Sequence, residues 1–294
     1  MRELPSHCDH PHGLETLIQK RIQKELDQTI SEEQAGFRPG RGTVDHIFSL
    51  RQLQRAAREG RQPLFIALLD FMKAYDSIDR QKLLECLTRR LPAHYCCILR
   101  ALLARTRYRV WDEGLSDPVE SNKGAPQGRK LSPQEFIALL DDVVTEWKEM
   151  GKTSAHPWGF AIRVPEELEW GMRALKDGDD FRLMMLSILL YADDVALVAG
   201  STEALQEMVS AWEICAAKVG LHVSASKSHV IPPDWELAMP IPTPHSAIKL
   251  QDGQTLDFVS DAPYLGSILQ SDGSNEKDFN KRFGLAIGAW TSAS

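Results

Sequence analysis

This 294-residue sequence predicts an α+β fold, on three observations. Apolar residues recur at helical spacing in several long segments. Short unbroken apolar runs such as Leu64 to Leu69 read as strands buried on both faces. The string SILLYADDVALVAG reads as a β-hairpin with acids at its tip. By length the chain accommodates two domains, or one large domain with an internal division. Its composition, 43% hydrophobic and 26% charged with 19 Gly and 16 Pro, excludes collagenous, disulfide-framework and wholly disordered classes.

Five cysteines with no C-x-x-C pair, Cys96 lying beside Cys97, fit neither a disulfide scaffold nor a zinc ribbon. They favour a reducing intracellular setting, nucleus or cytoplasm, over secretion. The start MRELPSHCDHPH lacks the apolar core of a signal peptide. The most apolar stretch, Leu183 to Ala192, is broken by Ser187 and stopped by Asp193 and Asp194, so no membrane partner is expected. A net charge of −7 argues against nucleic acid as a partner, but its distribution reverses that. Residues 36–62 carry six arginines against Asp45 and Glu59, and residues 80–109 carry eight basic residues against Glu85. A basic surface inside an acidic protein is the expectation.

Residues 1–13 read as a tail, in which His7, Cys8, His10 and His12 are a possible but uncommon metal cluster. Leu14, Leu17, Ile18, Ile22 and Leu26 predict a surface helix. The turn-forming GFRPGRG then precedes a second helix, begun by Val44, Ile47, Phe48, Leu50 and Leu53 and stopped near Gly60. The strand Leu64 to Leu69 ends in Asp70. Asp79 can cap a helix with Leu83, Leu84, Leu87 and Leu91 inward, and another runs from about His94 to Ala104. Ser132, Pro133 and Glu135 predict a capping box opening a helix to Gly151. Residues 152–182 show no period and read as an irregular insertion. After the acidic hairpin, a helix from Ser201 to Val219 presents Leu205, Val209, Trp212 and Ala216 inward and ends at Gly220. Five prolines between Pro232 and Pro244 mark an extended connector, and Phe258 to Leu269 reads as a short hairpin.

Pairing the strand that ends in Asp70 with the hairpin carrying Asp193 and Asp194 would converge carboxylates at one sheet edge. Such an edge suits hard cations, and two Mg²⁺ ions (or Mn²⁺) serve in-line displacement at phosphorus. Nucleotidyl transfer or nuclease chemistry follows. Taken alone, YADD reads rather as a simple hairpin turn, where Asp is common.

The string has company. EEQAGFRPGRGTVDHIFSLRQL at 32–53, LLDFMKAYDSID at 68–79, GAPQGRKLSP at 124–133, GLHVSASKSHVI at 220–231 and YLGSIL at 264–269 occur in that order with it. Together they resemble the reverse transcriptases of non-LTR (LINE-type) retrotransposons over residues 14–288. The resemblance implies a right-hand polymerase fold with an antiparallel palm sheet, helical fingers and a truncated thumb. Residues 14–62 would be fingers, 63–151 palm and fingers, 183–269 palm and 270–294 the start of the thumb. It implies RNA-directed DNA polymerisation, with RNA template, DNA primer and dNTP as partners and no stated oligomeric state.

On that resemblance Asp70, Asp193 and Asp194 are the catalytic, metal-binding carboxylates, and the Phe71 carbonyl is a further ligand. Tyr75 is the ring beneath the incoming sugar, excluding a 2′-hydroxyl, though a core tyrosine is the plainer alternative. Gln127 and Gly128 contact the nucleotide and templating base. Lys227 stands near the leaving pyrophosphate, and Arg38 and Arg41 grip triphosphate or template phosphates. Tyr264, Leu265 and Gly266 form the primer grip. Where the family reads LSP followed by an apolar pair, Phe and Asn, this chain has Gln134, Glu135, Phe136 and Ile137. The lost Asn bears on sugar or template positioning. A decayed retroelement remnant that only binds nucleic acid is the rival reading. An RNA polymerase on the same palm is disfavoured by Tyr75, and a two-metal nuclease by the nucleotide-site motifs.

Overall fold

The computed structural model describes residues 12–104, 107–108, 116–120, 123–126, 128–165, 181–233 and 247–293. Two helices come first, α1 (His12–Asp27) and α2 (Thr43–Glu59), then strand β1 (Phe65–Leu69) and helices α3 (Ala74–Ser77), α4 (Arg80–Arg90) and α5 (Ala93–Ala104). Strands β2 (Arg107–Tyr108) and β3 (Val119–Glu120) precede the long α6 (Ser132–Gly151). Strands β4 (Phe160–Pro165), β5 (Phe181–Leu186), β6 (Ile188–Tyr191) and β7 (Asp194–Ala199) lead to α7 (Thr202–Ala217). Strands β8 (His229–Ile231), β9 (Ile248–Lys249), β10 (Thr255–Phe258), β11 (Asp261–Tyr264) and β12 (Ser267–Gln270) precede α8 (Glu276–Ala293).

Six strands form the central sheet in the order β6-β7-β1-β8-β10-β9, antiparallel except where β10 runs parallel to β8. All five residues of β1 are buried, as an unbroken apolar run requires of a strand covered on both faces. Phe65, Ala67 and Leu69 join the core beneath α4, α6 and α7, while Ile66 and Leu68 join Leu50 and Leu53 of α2 and Tyr264 and Leu269 of the β11–β12 hairpin. The two-residue alternation of a strand thus sorts one apolar run into two cores. Trp147 of α6 and Trp212 of α7 meet edge to face in the larger core, and the Trp147 indole donates to the Met208 carbonyl at 2.9 Å. Truncating either ring to Ala would cost about 3–5 kcal/mol.

Local cap residues explain the starts of α4 and α7. The Asp79 carboxylate accepts from the backbone N–H groups of Gln81 and Lys82 at 2.8 and 3.1 Å, and the Ser201 hydroxyl accepts from Ala204 N–H at 3.1 Å. Helix α6 departs from expectation. Pro133 does open it, but Leu131 is the N-cap residue, the Ser132 hydroxyl donates to the Pro126 carbonyl at 2.7 Å, and Glu135 is fully buried beside Arg129. Tertiary partners have taken both side chains of the expected capping box. In the first helix Ile18, Ile22 and Leu26 are buried as expected, whereas Leu17 is exposed.

The segment 152–182 is not wholly irregular. Phe160–Pro165 and Phe181–Leu186 pair antiparallel in register from Phe160↔Leu186 to Pro165↔Phe181. The tail residues His7, Cys8 and His10, and most of the Pro232 to Pro244 connector, lie outside the described residues, and the His12 side chain is likewise not described. Among the described residues no helix is long and apolar enough to cross a membrane.

Candidate active site

Register brings the acids together. Leu69 pairs with Val195, so Asp70 and Asp194 are level one step further along adjacent strands. Alternation puts both on the face of Leu68 and Ala196, toward the β11–β12 hairpin. Asp193 sits beside them on the turn that joins Tyr191 to Asp194. Asp70 is held by backbone: its N–H donates to the Ser228 hydroxyl at 3.0 Å, and its carbonyl accepts from Ser224 N–H at 2.8 Å. Ser224 and Ser228 flank the 3₁₀ turn Ala225–Lys227, which sets the Lys227 ammonium 3.6 Å from the Asp70 carboxylate.

The edge carries more negative charge than its cations offset. Burial first, then the charge of Asp70, raises the Asp193 carboxyl above the ordinary aspartate range, against which Lys227 pulls. Burial together with the charges of Asp193 and Asp70 pushes Asp194 up to about 6. Asp70, Asp194, Lys227, Tyr264, Leu265 and Gly266 line a cavity of about 300 Å³. Leu265 and Gly266 have φ of 49° and 81°, the positive pair that a two-residue hairpin turn demands, and here glycine suits its position. The Tyr264 hydroxyl is buried without a hydrogen-bond partner, and burial beside the Asp194 charge raises its pKa.

Among the described residues, no three His, Cys, Asp or Glu side chains already close around one centre. The donor chemistry nevertheless fits a hard divalent cation: carboxylate oxygens, mutually repelling and half-exposed at a cavity mouth. The Phe71 ring is buried and stacks on Trp212 at 6.2 Å. The bonds flanking the Phe71–Val223 bridge run from Met72 N–H to the His222 carbonyl and from Ser224 N–H to the Asp70 carbonyl, so neither uses the Phe71 carbonyl.

Tyr75 stacks on Phe136 with ring centroids 4.8 Å apart, and burial beside the Asp193 charge pushes its hydroxyl up to about 12. Ala125 N–H donates to the Tyr75 carbonyl at 2.7 Å, and a Cβ on Gly124 would lie 2.8 Å from the same oxygen. The segment before Gly128 is thereby laced to the Tyr75 backbone. Gly128 itself has φ +85° and open space beside it, whereas Gln127 lies outside the described residues.

Arg38 and Arg41, expected at phosphate, are both engaged by groups of the chain itself. Arg38 is buried, and its guanidinium donates to the Asp27 carboxylate at 2.6 Å and to the carbonyls of Ser31, Gln34 and Asp27. It braces its own loop. Arg41 pairs with the Glu32 carboxylate and donates to the Glu32 carbonyl at 3.1 Å. Other basic residues of these windows are also engaged within the chain: Arg90 pairs with Asp141 at 2.9 Å and Asp142 at 2.6 Å, Arg51 lies 3.5 Å from Asp278, and Arg80 donates to the Gly124 carbonyl at 2.7 Å.

Sequence reasoning missed Gln34. Its side-chain oxygen accepts from Ala192 N–H at 3.0 Å and Gly36 N–H at 2.7 Å, and its NH₂ donates to the Ala192 carbonyl at 3.3 Å. A lone Gln in a polar stretch carries no signal of a partner so distant in the chain. Ser228, wholly buried against Asp70, was equally silent.

Comparison with known proteins accords with this geometry. The family described as reverse transcriptase (RNA-dependent DNA polymerase) matches residues 11–266. The retrovirus-related Pol polyprotein from type-1 retrotransposable element R2 of Nasonia vitripennis is 25% identical over 288 residues, covering 93% of this chain and 25% of that protein. A probable RNA-directed DNA polymerase from transposon BS of Drosophila melanogaster is 25% identical over 266 residues, covering 87% and 26% respectively. The chain therefore spans about a quarter of the length of these relatives. Apo telomerase from Candida tropicalis, truncated from its C-terminal domain, superposes with a TM-score of 0.56 at 12% identity, covering 88% of this chain and 44% of that one. Telomerase of the same organism with a TWJ fragment of telomeric RNA gives a TM-score of 0.57 at 12% identity, with coverage of 88% and 36%. At such identity the likeness bears on fold alone, and the fold is that of a right-hand polymerase. With the family match running across most of the chain, the chain belongs to the reverse transcriptase (RNA-dependent DNA polymerase) family.

Proposed function

We propose that this chain is an RNA-directed DNA polymerase domain of a retroelement, acting inside the cell on an RNA template, a DNA primer and dNTPs. The observation that carries the reading is the level placement of Asp70 and Asp194, with Asp193 beside them, at a cavity lined by Lys227 and the 264–266 hairpin. In the reaction the primer 3′-hydroxyl attacks the α-phosphate of the dNTP and pyrophosphate leaves. Asp70, Asp193 and Asp194 would hold Mg²⁺ or Mn²⁺, which when bound neutralises phosphate charge and eases deprotonation of the hydroxyl.

The chain's own residues do the rest. Tyr75, braced by Phe136, presents bulk where a ribose 2′-hydroxyl would go. Lys227 is near enough to Asp70 to serve the leaving pyrophosphate with charge or a proton. The turn at Leu265 and Gly266 supports the primer end, and Gly128, with Gln127 before it, lets backbone approach the nucleotide. Arg38 is omitted from this scheme because its donors are spent on its own loop.

Primer extension on an RNA template, with dNTPs against rNTPs, tests the reading. Extension with dNTPs, lost in Asp193→Asn and opened to rNTPs in Tyr75→Val, is the expected result. Duplex binding without extension would instead support a decayed remnant, a reading favoured by the buried Gln134 and Glu135 and by Ile137 in the place of the family's Asn. Extension that persists in Asp193→Asn would remove that residue from the mechanism.

A further inference from the structure

Ala192, immediately before Asp193, has φ of +56°, in the left-handed region that residues with a Cβ adopt when their surroundings hold them there. What holds it is a segment that belongs to neither strand of the hairpin. Residues 33–36 run beside β6: Leu190 N–H donates to the Glu33 carbonyl at 2.9 Å, Ala35 N–H donates to the Leu190 carbonyl at 2.8 Å, and Gln34 bridges Leu190 in parallel sense. Past that bridge the Gln34 side chain, 1% exposed, reaches the turn and closes on both polar groups of Ala192. An amide is the side chain suited to this, since it offers an acceptor and a donor in one plane, and the two N–H groups pointing at one atom identify that atom as oxygen.

Gly36 completes the fit. Its N–H donates to the same Gln34 oxygen, and a Cβ there would lie 2.2 Å from the Ala192 nitrogen. The segment is anchored from behind by Arg38, whose guanidinium donates to the Gln34 carbonyl at 3.0 Å while pairing with Asp27 of α1. Contact is therefore continuous from the end of α1 through Arg38 and Gln34 to the peptide that aims Asp193.

We propose that Gln34 is a positioning residue of the polymerase site, clasping the Ala192 peptide so that Asp193 and Asp194 meet a divalent cation in a fixed direction. The proposal rests on the polymerase reading above. Groups that orient metal ligands from behind are worth about 10- to 100-fold in metal affinity or activity when removed. Gln34→Met keeps the length and loses all three hydrogen bonds, Gln34→Asn keeps the amide but falls short of Ala192, and Gly36→Ala wedges the segment off the turn.

The experiment measures Mn²⁺ binding to the full chain by electron paramagnetic resonance, alongside kcat and the dNTP KM in primer extension and the melting temperature without metal. Each variant is expected to bind Mn²⁺ about tenfold more weakly and to lose about tenfold in kcat, with the dNTP KM moving by less than about threefold. Melting temperature reports packing and not metal binding, so the metal affinity decides: variants that melt lower yet bind Mn²⁺ like the parent overturn the proposal and leave Gln34 a packing residue. Should Gln34→Met not fold, Gln34→Asn decides by the same measure. Asp193→Asn separates the two readings. If the parent chain extends no primer and Asp193→Asn binds Mn²⁺ as the parent does, the polymerase assignment fails; if the parent extends and Asp193→Asn loses extension and Mn²⁺ binding while the Gln34 variants keep both, the clasp alone fails.

Discussion

Charges at the acidic edge and charges elsewhere in the molecule are handled in opposite ways. On the helices, acids find arginines: Glu15 meets Arg129 at 2.9 Å, Asp27 meets Arg38 at 2.6 Å, and Asp141 and Asp142 share Arg90. At the ends of β1 and β7, three carboxylates stand with one ammonium, 3.6 Å from Asp70, and among the described residues no cation lies within ion-pair distance of Asp193 or Asp194. Three carboxylates gathered with so little cationic partnership are what the proposed divalent-cation site would use. The comparison also explains why counting charge along the chain overstates the free basic charge among the described residues. Windows of sequence count charge along the chain, whereas the partners of these arginines come from other segments.

The largest effect on stability is expected from Arg129. It is buried between Glu15 and Glu135, whose own carboxyl is raised by burial despite the nearby guanidinium. Arg129→Met should cost about 3–5 kcal/mol in denaturant unfolding, because two buried acids lose their cation. Adding Glu135→Leu to that variant should recover part of the loss, since apolar replacement of a buried ionic group is often neutral. An Arg129→Met variant as stable as the parent would mean the cluster is solvated and the contrast with the acidic edge is false.

A second prediction concerns a neutral group behind the edge. His46 of α2 is buried, with Tyr191 of the hairpin edge-on at 6.1 Å, Nδ1 without a partner, and its pKa lowered to about 4 by burial, against which Asp45 pulls and to which Arg41 adds. The unfolded chain takes up this proton near pH 6.5 and the folded one only near 4, so stability present above 6.5 is lost as pH falls toward 4. The loss attributable to His46 should reach up to about 3 kcal/mol. His46→Gln should flatten the unfolding free energy across that window, and an unchanged slope would place the titration elsewhere.

How much of this was legible follows from where each partner sits. The acidic hairpin, the buried run of β1 and the Asp79 and Ser201 caps are written within a few residues of themselves, so periodicity and cap chemistry suffice to find them. Ser132 and Glu135 had the right spacing for a capping box, but Pro126 and Arg129 compete for them in three dimensions. The β4–β5 pair escaped because its strands are separated by a long intervening stretch and carry scattered charge. Gln34 escaped because it acts on a peptide 158 residues away.

Smaller effects sharpen the same contrast. Asp194→Asn, measured without metal, should stabilise the fold by about 1 kcal/mol, since it relieves the repulsion that Asp193 and Asp70 impose on a half-buried carboxylate. The parent should gain melting temperature with added Mg²⁺, and the variant should gain less, because only binding to the folded state shifts the equilibrium.

The smallest effect belongs to the exposed pairs. Arg55 and Glu59 lie 2.8 Å apart on α2, both well exposed. Water screens them and two long side chains lose freedom to meet, so Arg55→Ala should change stability by about 0.5 kcal/mol or less. That near-zero result matters beside Arg129 and Asp194. It would show that proximity of opposite charge is not what distinguishes the regions; desolvation is, costly where an acid keeps no cation and tolerable where one is enclosed with it. A loss of about 2 kcal/mol from Arg55→Ala would mean that surface pairing contributes as much as buried pairing, and the unmatched acids of the edge would then lose their significance as the mark of a cation site.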